Sequence, residues 1–94
     1  MDKRRPVLVL TREAVLPHLT NVTVAPITRT IRGLSTEVGL GTHNGLRQDC
    51  VASCDNITTI PKGRLVRPVG YLLTAQELAL AAAITAAFNL THPG

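Results

Sequence analysis

The sequence predicts an α+β domain that is mostly β, a small set of antiparallel strands finished by one C-terminal helix. Three observations carry this. Short β-branched runs separated by turn residues fill the first two-thirds of the chain. A helix-start signal at Thr74 opens an unbroken run of helix formers. The length, 94 residues, suits one domain with a modest core and leaves no room for a second.

Pro6 to Leu10 is a continuous aliphatic run, readable as a strand buried on both faces. Thr11 to Thr20 has mixed polarity and contains Pro17, which makes it a loop with one helical turn. Asn21 to Thr28 alternates cleanly, with Val22, Val24 and Pro26 on one face; Pro26 has no N–H and belongs at an edge, a bulge or the strand's end. Arg29 to Gly33 is a basic turn, Thr36 to Leu40 a short strand, and Gly41 to Gly45 a turn. Asp49 to Cys54 is a further strand, closed by the turn-prone pair Asp55-Asn56. Ile57 to Ile60 is short and β-branched, and Pro61 to Arg64 is a loop or a single helical turn. Val66 to Leu73 is expected as the last strand, bent or bulged at Pro68 and Gly70. Thr74 and Glu77 then form a capping box ahead of a helix over residues 75–89. That helix is nearly apolar all round, so burial on more than one side is expected, against its own sheet and a partner subunit.

Apolar residues make up 45% of the chain, and Tyr71 and Phe88 are its only aromatics, so the core must be aliphatic. A domain this small gains stability by dimerising, which makes a homo-oligomer the expectation. The formal net charge of +4 suits a polyanionic partner. Every Lys and Arg precedes Tyr71, and the tail beyond it carries only Glu77, so the basic surface belongs to the first two-thirds. Cys50 and Cys54, placed on one strand, would lie about 13 Å apart, too far to bridge. Without a CxxC or a nearby His pair they also make a poor zinc site, and reduced thiols fit a cytoplasmic protein. The Ala-rich tail offers about 16 helical residues, roughly 24 Å and short of a bilayer core, so a soluble chain is expected.

Four segments then follow in one order: RRPVLVLT at 4–11, NVTVAPIT at 21–28, RGLSTEVGL at 32–40 and DCVASCDNITTIPKGRLVRPVGYL at 49–72. Together they resemble the MazF/PemK toxin family over roughly residues 4–90. The resemblance implies an SH3-like barrel, a homodimer, ribonuclease activity on single-stranded RNA without metal or other cofactor, and neutralisation by a MazE-like antitoxin. That antitoxin is expected to be an acidic, largely disordered segment folding across the basic RNA groove.

Carried over by position, Arg5 of the Arg-Pro pair and Thr28 at a strand end match the family's catalytic pair. The chemistry asks for such groups. When a 2′-OH attacks its neighbouring phosphorus, a five-coordinate, doubly anionic state forms, and donors already aimed at its oxygens lower the barrier. Arg supplies a fixed fork of charged donors and Thr a hydroxyl. Free Arg has a pKa above about 12 and is a poor general base, so Arg5 serves chiefly to stabilise charge and only secondarily to deliver a proton. Arg4, Arg29 and Arg32 are expected to hold flanking phosphates, and Ser53 and Asn56 to touch base edges. Scarce aromatics argue against a stacking platform. His18, His43 and His92 raise a histidine acid–base mechanism, but all three lie in loops or the tail and read as exposed, non-catalytic residues.

Family members usually begin with an extra strand and a polar loop before the Arg-Pro. This chain starts Met1-Asp2-Lys3-Arg4, so the expectation is a single toxin domain over 1–94 lacking both. Two rival functions follow. One is a catalytically weak or dead member that only binds its antitoxin. The other is a CcdB-like gyrase poison, disfavoured because the Trp-Gly-containing tail of those toxins is absent from Asn89 to Gly94.

Overall fold

A computed structural model describes residues 5–88. Five strands, β1 (Val7–Val9), β2 (Asn21–Thr28), β3 (Glu37–Leu40), β4 (Cys50–Ser53) and β5 (Thr58–Pro61), are followed by one helix, α1 (Thr74–Phe88). All pairings are antiparallel. The order across the sheet is β1-β2-β4-β3, with β5 also on β2. The expected α+β class and C-terminal helix are observed, but the barrel is not closed: no ladder joins β3 to β1 or β5 among the described residues.

β2 organises the sheet because both its edges are used. Val24, Ala25 and Pro26 pair with β1 on one edge, at Val9, Leu8 and Val7. The other edge is shared: Ile27 and Thr28 pair with Ala52 and Val51 of β4, whereas Asn21 to Val24 pair with Pro61 to Thr58 of β5. Continuing the β4 register would put Val24 opposite Asp55, yet it faces Thr58, so three residues are extruded between the two ladders. They belong to the 3-10 turn Cys54–Asn56. Pro26 sits at this break. The Ile27 N–H points to the β1 side, where it donates to the Pro6 carbonyl at 3.3 Å. By alternation the ring nitrogen of Pro26 faces the interrupted edge, where a donor would lack a ladder partner.

The two faces of the sheet have different uses. On one, fully buried Ala25 and Ala52 join Val38, Leu40, Cys54 and Ala83 of α1 in a core flanked by Leu8, Ile27, Leu80 and Ile84, and α1 lies against β3 and the Cys54–Asn56 turn. The opposite face carries Val22 and Val24, each 1% exposed, and beyond them Thr28, Val51 and Ser53. The helix is buried along one stripe only: Ala83 is its one buried residue, while Leu78 and Phe88 are 74% and 56% exposed. Its second side is uncovered in the single chain.

Two expectations are corrected here. Residues 65–73 form no strand; the segment is extended and crosses the loop after β3. A Cβ at Gly70 would stand 2.0 Å from the Asn44 carbonyl oxygen, and one at Gly45, whose φ is +81°, would stand 2.2 Å from that of Val69. Backbone therefore packs on backbone where a ladder was expected, and Pro68 could not have donated to one. The capping box is also displaced by one residue. The Leu73 carbonyl accepts from the Gln76 and Glu77 amides at 2.9 and 3.1 Å, and the Gln76 side chain, not that of Glu77, reaches back to the Leu73 N–H at 2.8 Å.

Gln76 is fixed in this role by Asn44, the buried polar residue of the described chain. The Asn44 amide nitrogen donates to the Tyr71 carbonyl at 2.8 Å and to Gln76 Oε1 at 2.6 Å; its Oδ1 accepts from the Gly41 N–H at 3.0 Å and from Gln76 Nε2 at 2.9 Å. Gln76 Nε2 also donates to the Gly39 carbonyl at 3.1 Å. Both amides are thus fully satisfied, and together they join β3, the crossing segment and the first turn of α1. Asn44→Ala removes four hydrogen bonds and takes two partners from the half-buried Gln76 amide, and should cost about 2–3 kcal/mol. At matched protein concentration, thermal unfolding should show the midpoint lowered by on the order of 10 °C.

Candidate RNA-binding groove

On the sheet face away from α1, a groove of about 410 Å³ opens at the break along β2. Its walls come from three places. The end of β2 and the loop after it give Pro26, Thr28, Thr30, Arg32 and Leu34; β3 gives Glu37; the end of β4 and the extruded turn give Ser53, Asp55 and Asn56. Cross-strand pairing explains the assembly. Thr28 pairs with Val51 and Glu37 with Ser53, and residues two apart share a face, so Thr28, Ser53 and Glu37 all project to one side.

Arg5 joins them by register. Val7 faces Pro26, and the Pro6 carbonyl bonds the Ile27 N–H, so the antiparallel pairing carried two residues on sets Arg5 opposite Thr28. The guanidinium is exposed and does not line the groove as Thr28 does. Thr28 is half-buried, and its hydroxyl oxygen accepts the Thr30 N–H at 3.1 Å. That bond occupies a lone pair and leaves the hydroxyl proton to be donated elsewhere.

Of the residues expected to bind RNA, Arg32, Ser53 and Asn56 line the groove. Asn56 Nδ2 donates to Ser53 Oγ at 3.0 Å, which orients the amide and leaves its carbonyl and second N–H for a base edge. Arg29 is exposed on the rim, between Thr28 and Thr30. Arg4 and His92 lie outside the described residues. His18 and His43 are exposed and stand apart from the groove lining.

Two groove residues were not singled out by the sequence. Asp55 read as a turn former, yet the three-residue extrusion brings it to the groove wall, where its Oδ2 accepts from the Thr36 hydroxyl at 2.6 Å. Among the described residues no donor is seen on its Oδ1. Glu37 read as a strand residue, but both its oxygens accept the Arg32 N–H, at 3.1 and 3.3 Å, and Oε1 also accepts the Leu34 N–H at 3.1 Å. The only sequence signal for either was a carboxylate beside a cluster of arginines and hydroxyls.

Both cysteines are free and buried. Burial, and secondarily the neighbouring Asp55 carboxylate, push the Cys54 thiol up, so it stays a neutral thiol and a poor nucleophile. Among the described residues no group of three His, Cys, Asp or Glu side chains gathers as metal ligands would, and no helix is long and apolar enough to cross a membrane.

Comparison with known proteins identifies the family. Residues 1–88 match the family model described as PemK-like, MazF-like toxin of type II toxin-antitoxin system. Endoribonuclease MazF3 of Mycobacterium tuberculosis is 64% identical over 90 residues, which cover 96% of this chain and 87% of that protein. The solved structure of the M. tuberculosis toxin MazF-mt6 superposes with a TM-score of 0.92 at 63% identity, over 98% of this chain and 93% of that one. A mycobacterial endoribonuclease solved in complex with its cognate antitoxin has a TM-score of 0.82 at 28% identity, over 95% of this chain and 84% of that one. By the family match over residues 1–88, the 64% identity to MazF3 and the shared fold, this chain belongs to the PemK-like, MazF-like toxins of type II toxin–antitoxin systems.

Proposed function

We propose that the chain is an endoribonuclease that cuts single-stranded RNA at the groove beside Thr28, without a metal, as the toxin of a toxin–antitoxin pair. The observation that carries this reading is the meeting of hydroxyl, guanidinium, carboxylate and amide groups at one break in the sheet. The 64% identity to a protein named as an endoribonuclease supports it.

The reaction needs three services. A base must take the proton of the 2′-OH as its oxygen bonds to phosphorus. Asp55 suits this role, because it lines the groove and its Oδ1 has no donor among the described residues, while Glu37 spends both oxygens on backbone amides. Donors must meet the charge that grows on the non-bridging oxygens, the service of Arg5 and Thr28. The bond from phosphorus to the 5′-oxygen then breaks. That oxygen takes a proton from water or Arg5, leaving a 2′,3′-cyclic phosphate and a 5′-OH. Arg29 and Arg32 hold flanking phosphates, and Ser53 and Asn56 read base edges.

The groove lining itself sets Arg32 against Asp55 and Glu37, so further attraction for RNA comes from outside the lining, from exposed Arg5 and Arg29. The partner is a MazE-like antitoxin that covers this surface, a reading supported by the relative solved with its cognate antitoxin. A second copy of the chain covers the uncovered side of α1 and the crossing segment. Val66, Tyr71 and Leu78 are 67%, 77% and 74% exposed in the single chain, and such a partner would cover them.

With long single-stranded RNA in EDTA, the protein should cut at recurrent short sequences, with cyclic-phosphate ends visible by mass spectrometry. Arg5→Ala and Thr28→Val should each lower kcat on the order of 10²-fold, and Asp55→Asn by about 10²–10⁴-fold. Intact RNA from folded protein would leave the antitoxin-binding reading in place of the nuclease. Light scattering should give the mass of a dimer, and Leu78→Lys should shift it toward the monomer.

A further inference from the structure

The loop from Arg29 to Ser35 is exposed throughout and joins no ladder, yet its path is fixed. Gly33, with φ of +73°, turns the chain in the left-handed region, so the amides on either side of it point the same way. The Glu37 carboxylate fills the concavity they make, accepting from Arg32 N at 3.1 and 3.3 Å and from Leu34 N at 3.1 Å. A further turn bond, from Glu37 N to the Leu34 carbonyl at 3.1 Å, closes the loop on the strand. Backbone amides that would otherwise bind water are thus aligned on one anion, with charge-assisted bonds stronger than neutral ones.

An acidic side chain is an odd choice on the wall of a groove for a polyanion, since its charge repels phosphate. If electrostatics alone decided, a neutral residue would serve better there. Glu37 is kept from the substrate by its own bonds, and the residue whose backbone it holds is Arg32, on the same groove wall. Held backbone means that the guanidinium loses less freedom when it meets a phosphate.

We propose that Glu37 is a positioning residue: it staples the loop so that Arg32 is presented to a phosphate of the bound RNA. This rests on the RNA reading above, and it adds a role for a carboxylate that touches no reacting atom. Glu37 acts through Arg32 and therefore on binding, leaving the chemical step at Thr28 and Asp55 nearly alone. The Oε1 oxygen serves both amides, so a neutral Gln at this position retains most of the staple, whereas Ala removes it.

The test is a double-mutant cycle on affinity for a mixed-sequence single-stranded RNA methylated at its 2′-oxygens, which can be bound but not cut by 2′-OH attack. Glu37→Ala should weaken binding about 5- to 10-fold and flatten the slope of log affinity against log salt by about 0.7, the loss of one phosphate contact. Arg32→Ala should do the same, and the double variant no more than either alone. Glu37→Gln should bind within about 3-fold of the unmodified protein. Deuterium uptake over residues 29–36 should rise in Glu37→Ala and not in Glu37→Gln. Tighter binding by Glu37→Ala, additivity with Arg32→Ala, or unchanged uptake over 29–36 would each overturn the proposal. Failure of the unmodified protein to cut ordinary RNA would instead strike the nuclease reading, and the uptake arm would still decide whether the staple exists.

Discussion

The architecture of the site depends on one discontinuity, the point along β2 where its pairing passes from β4 to β5. A strand edge cannot change partners without a break in the ladder, and here the break extrudes three residues. Pro26 marks the place because it has no N–H to leave unpaired. Around that break the sheet gains what a regular ladder would deny it. Asp55 and Asn56 leave the strand, a groove opens, and Thr28 comes to lie at the groove's wall instead of in the middle of a covered sheet.

The rest of the fold holds this break in place from behind. α1 lies against β3 and the extruded turn, and Ala25, Ala52, Val38, Leu40 and Cys54 form the core with its Ala83. The Asn44–Gln76 amide pair locks the start of the helix to the end of β3. The helix and its polar fastening are thus confined to one face, while Val22 and Val24 are buried on the other. Around the β2 break, that second face leaves exposed donors and acceptors that water or RNA can satisfy. Small residues at the helix contact and glycines at the crossing segment are the cost in side-chain volume of bringing the layers so close.

Much of this was legible in the residues themselves. Alternating Val22 and Val24, the β-branched run at 57–60 and the strong helix formers after Thr74 specify elements through local propensity, and the structure places strands and helix there. Arg5 and Thr28 emerged from a motif order, and extending the β1–β2 register two residues beyond Val7 would set them opposite each other. What escaped was non-local. Val66 to Leu73 has the composition of a strand, but Gly70 meets the Asn44 backbone, a contact no window of sequence contains. Gln76 takes the reach-back bond expected of Glu77 because Asn44, thirty-two positions earlier, holds its side chain. Asp55 and Glu37 were hidden for the same reason, since a register jump brings one to the groove and the pairing with Ser53 brings the other.

The central claim is that RNA occupies the groove at the β2 break, on the sheet face away from α1. The most direct measurement is amide chemical-shift mapping by NMR as a short 2′-O-methylated single-stranded RNA is titrated into the protein. The account predicts shifts concentrated at residues 28–37 and 53–56 and at Arg5, with the exposed side of α1 unmoved. Shifts centred on Leu78, Tyr71 and the crossing segment, with Thr28 and Asn56 silent, would contradict it and move the RNA surface to the other side of the molecule.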